Sequence, residues 1–198
     1  LCGCDHEIIP DRIEAGTFLV MAAAAGEKVI IQNVIPQHLE AVTSKLKEIG
    51  VKMDIVGDSI IVHGGLDNLK PIDIRTQVYP GFATDLQQPL TALLTQCQGA
   101  SQVVETIYHE RFGHCYQLNS MGAKIDQEEA MCYINGPTPL HGARVYATDL
   151  RCGAALIVAA LMADGVTEIG NVYHIDRGYE NIDHKLISLG AVITRRQV

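Results

Sequence analysis

One pattern occurs three times along this chain. Pro10-Asp-Arg-Ile, Thr84-Asp-Leu-Gln and Thr148-Asp-Leu-Arg each open an apolar stretch rich in Ala or Leu. Each then reaches the same second landmark: Leu46-Lys-Glu-Ile-Gly50-Val, Leu118-Asn-Ser-Met-Gly122-Ala and Leu186-Ile-Ser-Leu-Gly190-Ala. From the opening aspartate (Asp11, Asp85 or Asp149) to the glycine is about 40 residues each time, the length of a small repeat unit. A unit that short cannot bury its own apolar face, so the copies must pack on one another.

Within the unit, the aspartate is placed to cap a first helix by accepting from its exposed N–H groups. Gly26, Gly99 and Gly165 follow, positions where a left-handed glycine ends a helix without strain, and β-branched runs come next in Val29-Ile-Ile, Val103-Val and Val166-Thr-Glu-Ile. A second amphipathic helix runs to the landmark glycine. Alternation then resumes in Val51-Lys-Met-Asp-Ile, and Gly57-Asp58 turns it into Ile60-Ile-Val. The residues therefore predict helix, strand, helix and hairpin, in units of about 5–70, 71–142 and 143–198 that together form one body. The third copy reaches Ala191-Val-Ile-Thr, then Arg195, Arg196, Gln197 and Val198, with no turn and no returning strand. A half hairpin leaves unpaired backbone groups, so either another segment supplies its final strand or the end is an ordinary frayed edge.

Composition narrows the class. Hydrophobic residues make up 47% and charged residues 19% of the 198, enough apolar surface to offset the entropy of ordering the chain. A formal net charge of −8 opposes non-specific attraction to nucleic acid or an anionic membrane. The longest apolar run, Phe18 to Ala25, falls far short of the ~20 residues of a membrane span. The start, Leu-Cys-Gly-Cys-Asp-His, does not read as a secretory signal, and a cytoplasmic location is expected. The six cysteines lack the dense spacing of a disulfide scaffold and read as thiols. No Cys-x-x-Cys, His-Glu-x-x-His, Walker loop or Gly-x-Gly-x-x-Gly is present, so neither a metal nor a cofactor is expected.

Few charged residues break local expectation. Pro80-Gly81 puts a tight loop directly before a helix start, leaving Asp85 two readings: N-cap, or a carboxylate held beside a substrate hydroxyl as general base. Arg111, in Tyr108-His-Glu-Arg-Phe-Gly-His114, and Arg177, in Tyr173-His-Ile-Asp-Arg-Gly-Tyr179, hold corresponding places in the second and third units. Arg151 lies in the first turn of the third unit's first helix. Equivalent positions in pseudo-symmetric units share a rim. An arginine cluster there suits a ligand with carboxylate and phosphate groups, the other reading being salt bridges to the adjacent Glu110 and Asp176.

Pro10-Asp-Arg-Ile-Glu-Ala-Gly-Thr, Tyr79-Pro-Gly-Phe-Ala-Thr-Asp-Leu-Gln, Ala147-Thr-Asp-Leu-Arg and His174-Ile-Asp-Arg-Gly-Tyr-Glu, in that order, resemble the UDP-N-acetylglucosamine enolpyruvyl (1-carboxyvinyl) transferase family across nearly the whole chain. The resemblance implies an α/β (α+β) fold of repeated βαβαββ units in a pseudo-threefold arrangement, an inside-out α/β barrel lobe. It also implies transfer of the enolpyruvyl group of phosphoenolpyruvate to the 3′-hydroxyl of UDP-N-acetylglucosamine with release of phosphate, which begins peptidoglycan synthesis. Asp85 matches the carboxylate proposed as base at that hydroxyl. Ile107 matches a position whose backbone contacts the UDP-sugar. Arg111, Arg151 and Arg177 match arginines of the phosphoenolpyruvate and phosphate site, and Asp149 a carboxylate implicated in handling the tetrahedral intermediate. Asp85, Asp149 and Arg177 are thus the expected catalytic residues.

The family's mobile-loop cysteine, the fosfomycin target, and its lysine–asparagine pair belong to the other lobe and have no match here; Cys115 and Cys152 are expected to be packing residues. The expected partner is that second lobe; in the family the chain's own N-terminal segment returns to complete the third unit, and this chain alone should not turn over. The alternatives are a UDP-sugar-binding module without catalysis and a transferase acting on shikimate 3-phosphate.

Overall fold

The computed structural model describes residues 2–196. Helix α1 (Arg12–Ala25) is followed by β1 (Lys28–Ile31), a 3-10 turn at Pro36–Leu39, α2 (Glu40–Ile49) and the hairpin β2 (Lys52–Val56) and β3 (Ser59–His63). The second run is the longest: β4 (Asp73–Arg75), α3 (Thr84–Leu94), β5 (Gly99–Val104), α4 (Gly113–Ser120), β6 (Ile125–Glu128) and β7 (Met131–Gly136). The third holds β8 (Arg144–Tyr146), α5 (Leu150–Met162), β9 (Glu168–Gly170), α6 (Tyr173–Asp176) and α7 (Ile182–Ser188).

The second run shows a full βαβαββ order, with β4 parallel to β5, β5 antiparallel to β7, and β6 antiparallel to β7. In the first, β3 lies between β1 and β2, antiparallel to both. In the third, β8 and β9 form a two-stranded parallel ladder. The short leading strands β4 and β8 were absent from the local residue pattern; their three residues carry only one buried side chain each, Ile74 and Val145.

Helices α1, α3 and α5 pack on one another and form the centre. Helices α1 and α5 are apolar on nearly every face, as helices buried all round tend to be, whereas α3 buries Gln87, Gln88 and Thr91 among its apolar residues. In α1 the consecutive residues Leu19, Val20, Met21, Ala22, Ala23 and Ala24 are all buried. Gly16 permits the α1–α3 approach, because a Cβ there would lie 2.6 Å from Leu86 Cδ1. Three separate sheets surround the helices, with no closed barrel among the described residues. Strand β3 shows the expected division, Ile60 and Val62 buried and Ser59, Ile61 and His63 partly open.

The landmark glycines terminate the second helices. Gly50, Gly122 and Gly190 have φ of 110°, 100° and 102°, the left-handed region that favours glycine, and their N–H groups return to carbonyls three or four residues back. Gly99 and Gly165 also have positive φ, but Gly26 does not: it is extended at φ −80°. Its reason is space, since a Cβ would meet Val29 Cγ2 at 2.6 Å and Ala22 O at 2.8 Å.

Two other expectations are corrected. The strand expected from Val166 begins at Glu168, with Val166 88% exposed. The strand expected at Ala191-Val-Ile-Thr does not form: residues 191–196 belong to no strand, and Val192 is fully exposed. A strand has no ladder to join there, so nothing fixes its extended backbone. Leu1, Gln197 and Val198, the last two named with that strand, lie outside the described residues.

Candidate active site

The loop before α3 is folded back on itself: Gly81 N–H donates to Val78 O at 2.8 Å and Gln77 N–H to Phe82 O at 2.9 Å. That turn delivers the chain into α3 with Ala83 at the cap position, where it supplies no side-chain bond. Asp85 is therefore one residue inside the helix, and capping is not its role. Its two oxygens instead face two arginines, Arg111 Nη1 at 2.6 Å and Arg151 Nη2 at 3.3 Å. Partial burial alone would raise the Asp85 pKa. The charges and hydrogen bonds of Arg151 and Arg111 outweigh that and hold it below the ordinary carboxylate value.

Arg111 arrives on the turn after β5. Its guanidinium lies 5.2 Å from the centre of the Tyr108 ring and 3.4 Å, through Nη1, from Thr84 Oγ1, while Gln87 Nε2 donates to its carbonyl at 3.2 Å. Arg151 is set by the first turn of α5, where Asp149 caps: Asp149 Oδ1 accepts from Arg151 N–H at 2.8 Å and Cys152 N–H at 3.1 Å. From there its side chain reaches Asp85 and also donates through Nη1 to the Tyr179 hydroxyl at 3.1 Å. The other reading of the arginines, pairing with their sequence neighbours, is not what the described residues show. Arg111 takes Asp85 rather than Glu110, and Asp176 is held by Arg195 at 2.7 and 2.9 Å.

Ile107 stands at the rim, 38% exposed, in a shallow hollow formed with Thr106 and the 77–81 turn. Arg177 is exposed after α6 and forms no side-chain hydrogen bond or ion pair among the described residues. The structure thus joins Asp85, Arg111 and Arg151 in one contact network, sets Asp149 beside it as a cap, and leaves Arg177 and the Ile107 side chain outside it.

Two residues given no role by the sequence are central. Glu105 is 1% exposed, yet its carboxylate accepts four bonds: from Thr76 Oγ1 at 2.6 Å, Thr84 Oγ1 at 2.8 Å, Ile107 N–H at 2.8 Å and Tyr108 N–H at 3.1 Å. Burial would raise its pKa, but these donors reverse the shift and keep it ionised. It fixes the turn that carries Ile107, and Thr84 links it to Arg111. Tyr179, also 1% exposed, joins Arg151 to Thr17 of α1 through a 2.8 Å hydroxyl contact. Only the Asp-Arg-Gly-Tyr run around Tyr179 marked it in the sequence, and a buried glutamate at a strand end has no local signal.

The chemistry this permits is specific. Two fixed guanidinium groups make a site for a carboxylate or phosphate, and a carboxylate between them can receive a proton from a neighbouring hydroxyl. Cys115 and Cys152 are buried in α4 and α5. No group of three or more His, Cys, Asp or Glu able to hold a metal occurs among the described residues, and no described helix is long and apolar enough to cross a membrane.

Known proteins resemble this chain in sequence and in fold. Over 198 residues the chain is 56% identical to UDP-N-acetylglucosamine 1-carboxyvinyltransferase 2 of Bacillus subtilis, and over 195 residues 57% identical to the protein of that name from Listeria monocytogenes serotype 4b. It covers 100% and 98% of itself in these matches but 46% of each relative, so it spans about half their length. The enolpyruvyl transferase NikO from Streptomyces tendae superposes with a TM-score of 0.85 at 28% identity, over 95% of this chain and 45% of that one. EPSP synthase from Acinetobacter baumannii, at 16% identity and a TM-score of 0.64 over 83% of this chain and 39% of that one, shares the fold. Residues 1–186 match the family described as EPSP synthase (3-phosphoshikimate 1-carboxyvinyltransferase), and on that match the chain belongs to this family of enolpyruvyl transferases.

Proposed function

We propose that this chain is one lobe of a UDP-N-acetylglucosamine 1-carboxyvinyltransferase, which transfers the enolpyruvyl group of phosphoenolpyruvate to the sugar 3′-hydroxyl and releases phosphate, in cytoplasmic peptidoglycan synthesis. The observation that carries it is Asp85 held between Arg111 and Arg151, in a chain 56% identical over its whole length to an enzyme of that name. The three units, about 5–70, 71–142 and 143–198, form that lobe.

Asp85 takes the proton of the acceptor hydroxyl as its oxygen adds to C2 of phosphoenolpyruvate, the C2–C3 double bond opening as C3 takes a proton from a group of the second lobe; loss of a proton from C3 then restores the double bond and expels phosphate from C2. Arg111, Arg151 and Arg177 hold the carboxylate and phosphate, whose charge is complemented by groups already in place. With both arginines on it, Asp85 is a weak base. When the substrate anion draws the guanidinium groups away, its basicity rises toward the ordinary carboxylate range. Asp149, with Oδ2 free of bonds among the described residues, faces the handling of the tetrahedral intermediate. The backbone at Ile107, fixed by Glu105, meets the UDP-sugar. The second lobe supplies the remaining groups, so the chain alone binds and does not turn over.

The test is phosphate release by the full-length chain. It should require both phosphoenolpyruvate and UDP-N-acetylglucosamine, and the 198-residue lobe alone should give none. Release with shikimate 3-phosphate in place of the UDP-sugar would reassign the acceptor. Sugar binding without release by the full-length chain would make this a binding module.

A further inference from the structure

We propose that Tyr179 is a positioning residue for Arg151: its hydroxyl, anchored on Thr17, sets the point about which the guanidinium turns toward the substrate anion. The inference rests on the transferase reading above.

The direction of every proton in this chain of contacts is fixed. A guanidinium only donates, so across the 3.1 Å contact Arg151 Nη1 gives and the Tyr179 oxygen accepts. Thr17 Oγ1 already donates its single proton to Ile13 O at 2.9 Å. The Tyr179 hydroxyl must therefore donate to Thr17 Oγ1 across 2.8 Å. The run from Arg151 through Tyr179 and Thr17 to the α1 backbone has one polarity, and Tyr179 has no competing use for its lone pair. The ring sits 1% exposed in the core and Thr17 is fully buried, so neither end can move without opening the packed centre.

Arg151's other contact is longer. Its 3.3 Å separation from Asp85 is long beside the ~2.7–2.9 Å of a well-formed charge-assisted hydrogen bond, and Arg111 holds the same carboxylate at 2.6 Å. Arg151 Nε is buried with no partner among the described residues. Asp85 is thus chiefly the partner of Arg111, and Tyr179 is the closer anchor of Arg151. An arginine pinned through Nη1 and loosely paired through Nη2 can turn Nη2 onto a phosphate or carboxylate without losing its place. Without the hydroxyl it has nothing to turn about and settles on Asp85.

The experiment uses the full-length chain with Tyr179→Phe, which keeps the buried ring and removes only the acceptor. The KM for phosphoenolpyruvate should rise about tenfold while that for UDP-N-acetylglucosamine stays within about twofold, with the melting temperature nearly unchanged. Thr17→Val should raise the same KM by about threefold, and the double variant should be no worse than Tyr179→Phe alone, because both act through one contact. Arg151→Ala in the same assay is the reference. If Arg151→Ala raises the KM and Tyr179→Phe does not, the positioning role is wrong and the site reading stands. If Arg151→Ala changes neither KM nor kcat, the reading of the arginine falls and the positioning role with it. Equal losses for both substrates that follow the melting temperature would reduce Tyr179 to packing and overturn the proposal.

Discussion

Asp11 and Asp149 each use one oxygen to accept two N–H groups of their own helix, at 2.7 and 3.2 Å in α1 and at 2.8 and 3.1 Å in α5. Asp85, at the matching place in the repeat, turns both oxygens away from α3 and onto Arg111 and Arg151. The difference begins in the loop: the 77–82 turn starts α3 at Thr84 and places Ala83 where the other units have their aspartate. A cap stabilises its helix by about 1 kcal/mol, so α3 forgoes that contribution. Partly exposed ion pairs do not replace it, because solvent screens them. The same residue type at the same repeat position therefore caps its helix in two units and, in the one between them, turns both oxygens to the arginines.

The contrast can be broken most directly in turnover. Asp85→Asn in the full-length chain should lower kcat by at least about a hundredfold, the lower range for loss of a general base, with little change in melting temperature; a variant at near wild-type rate would remove Asp85 from the chemistry. The next effect is on stability. Glu105→Ala removes the acceptor of four donors around a 1% exposed site and should cost about 3 kcal/mol or more by denaturant unfolding, with Glu105→Gln costing less.

Asp11→Ala and Asp149→Ala should each cost about 1 kcal/mol as lost caps, and Asp85→Ala less than either. Equal losses at all three would mean that the α3 start is capped in solution after all.

Acid should sharpen the same division. Asp85 and Glu105 both have folded pKa values below their ordinary values of 3.8 and 4.5. Their stabilisation is complete above those values and is lost as pH falls through the lower folded ones. Melting temperature should fall steeply below about pH 4.5, and less steeply in Glu105→Gln. The smallest effect is at Arg195, whose pairs with Asp176 and Asp183 are partly exposed; Arg195→Ala should cost no more than about 1 kcal/mol.

The repeat made much of the fold legible. Helix starts follow from Asp11 and Asp149, helix ends from Gly50, Gly122 and Gly190, and the hairpin from Gly57-Asp58, because each rests on a local backbone demand that one residue type meets. Asp85 misled for the same reason: its neighbours copy the capping motif, and only the register set by the 77–82 turn denies it the role. Glu105 and Tyr179 were illegible because their partners, Thr76 and Thr84 for one and Thr17 and Arg151 for the other, lie 21 to 162 residues away. The strand expected at Ala191 failed because a strand is a property of a pair, and the pattern describes only one member. Arg111 and Arg151 were found from their places in the repeat, but that they meet on one carboxylate is a fact of packing.

The most direct test of the account follows the Asp85 carboxyl itself by NMR titration in the full-length chain, with and without phosphoenolpyruvate. The account predicts a pKa below the ordinary 3.8 in the free protein, rising when the substrate anion draws Arg111 and Arg151 away and also in Arg151→Ala. An ordinary value that neither ligand nor mutation moves would contradict it.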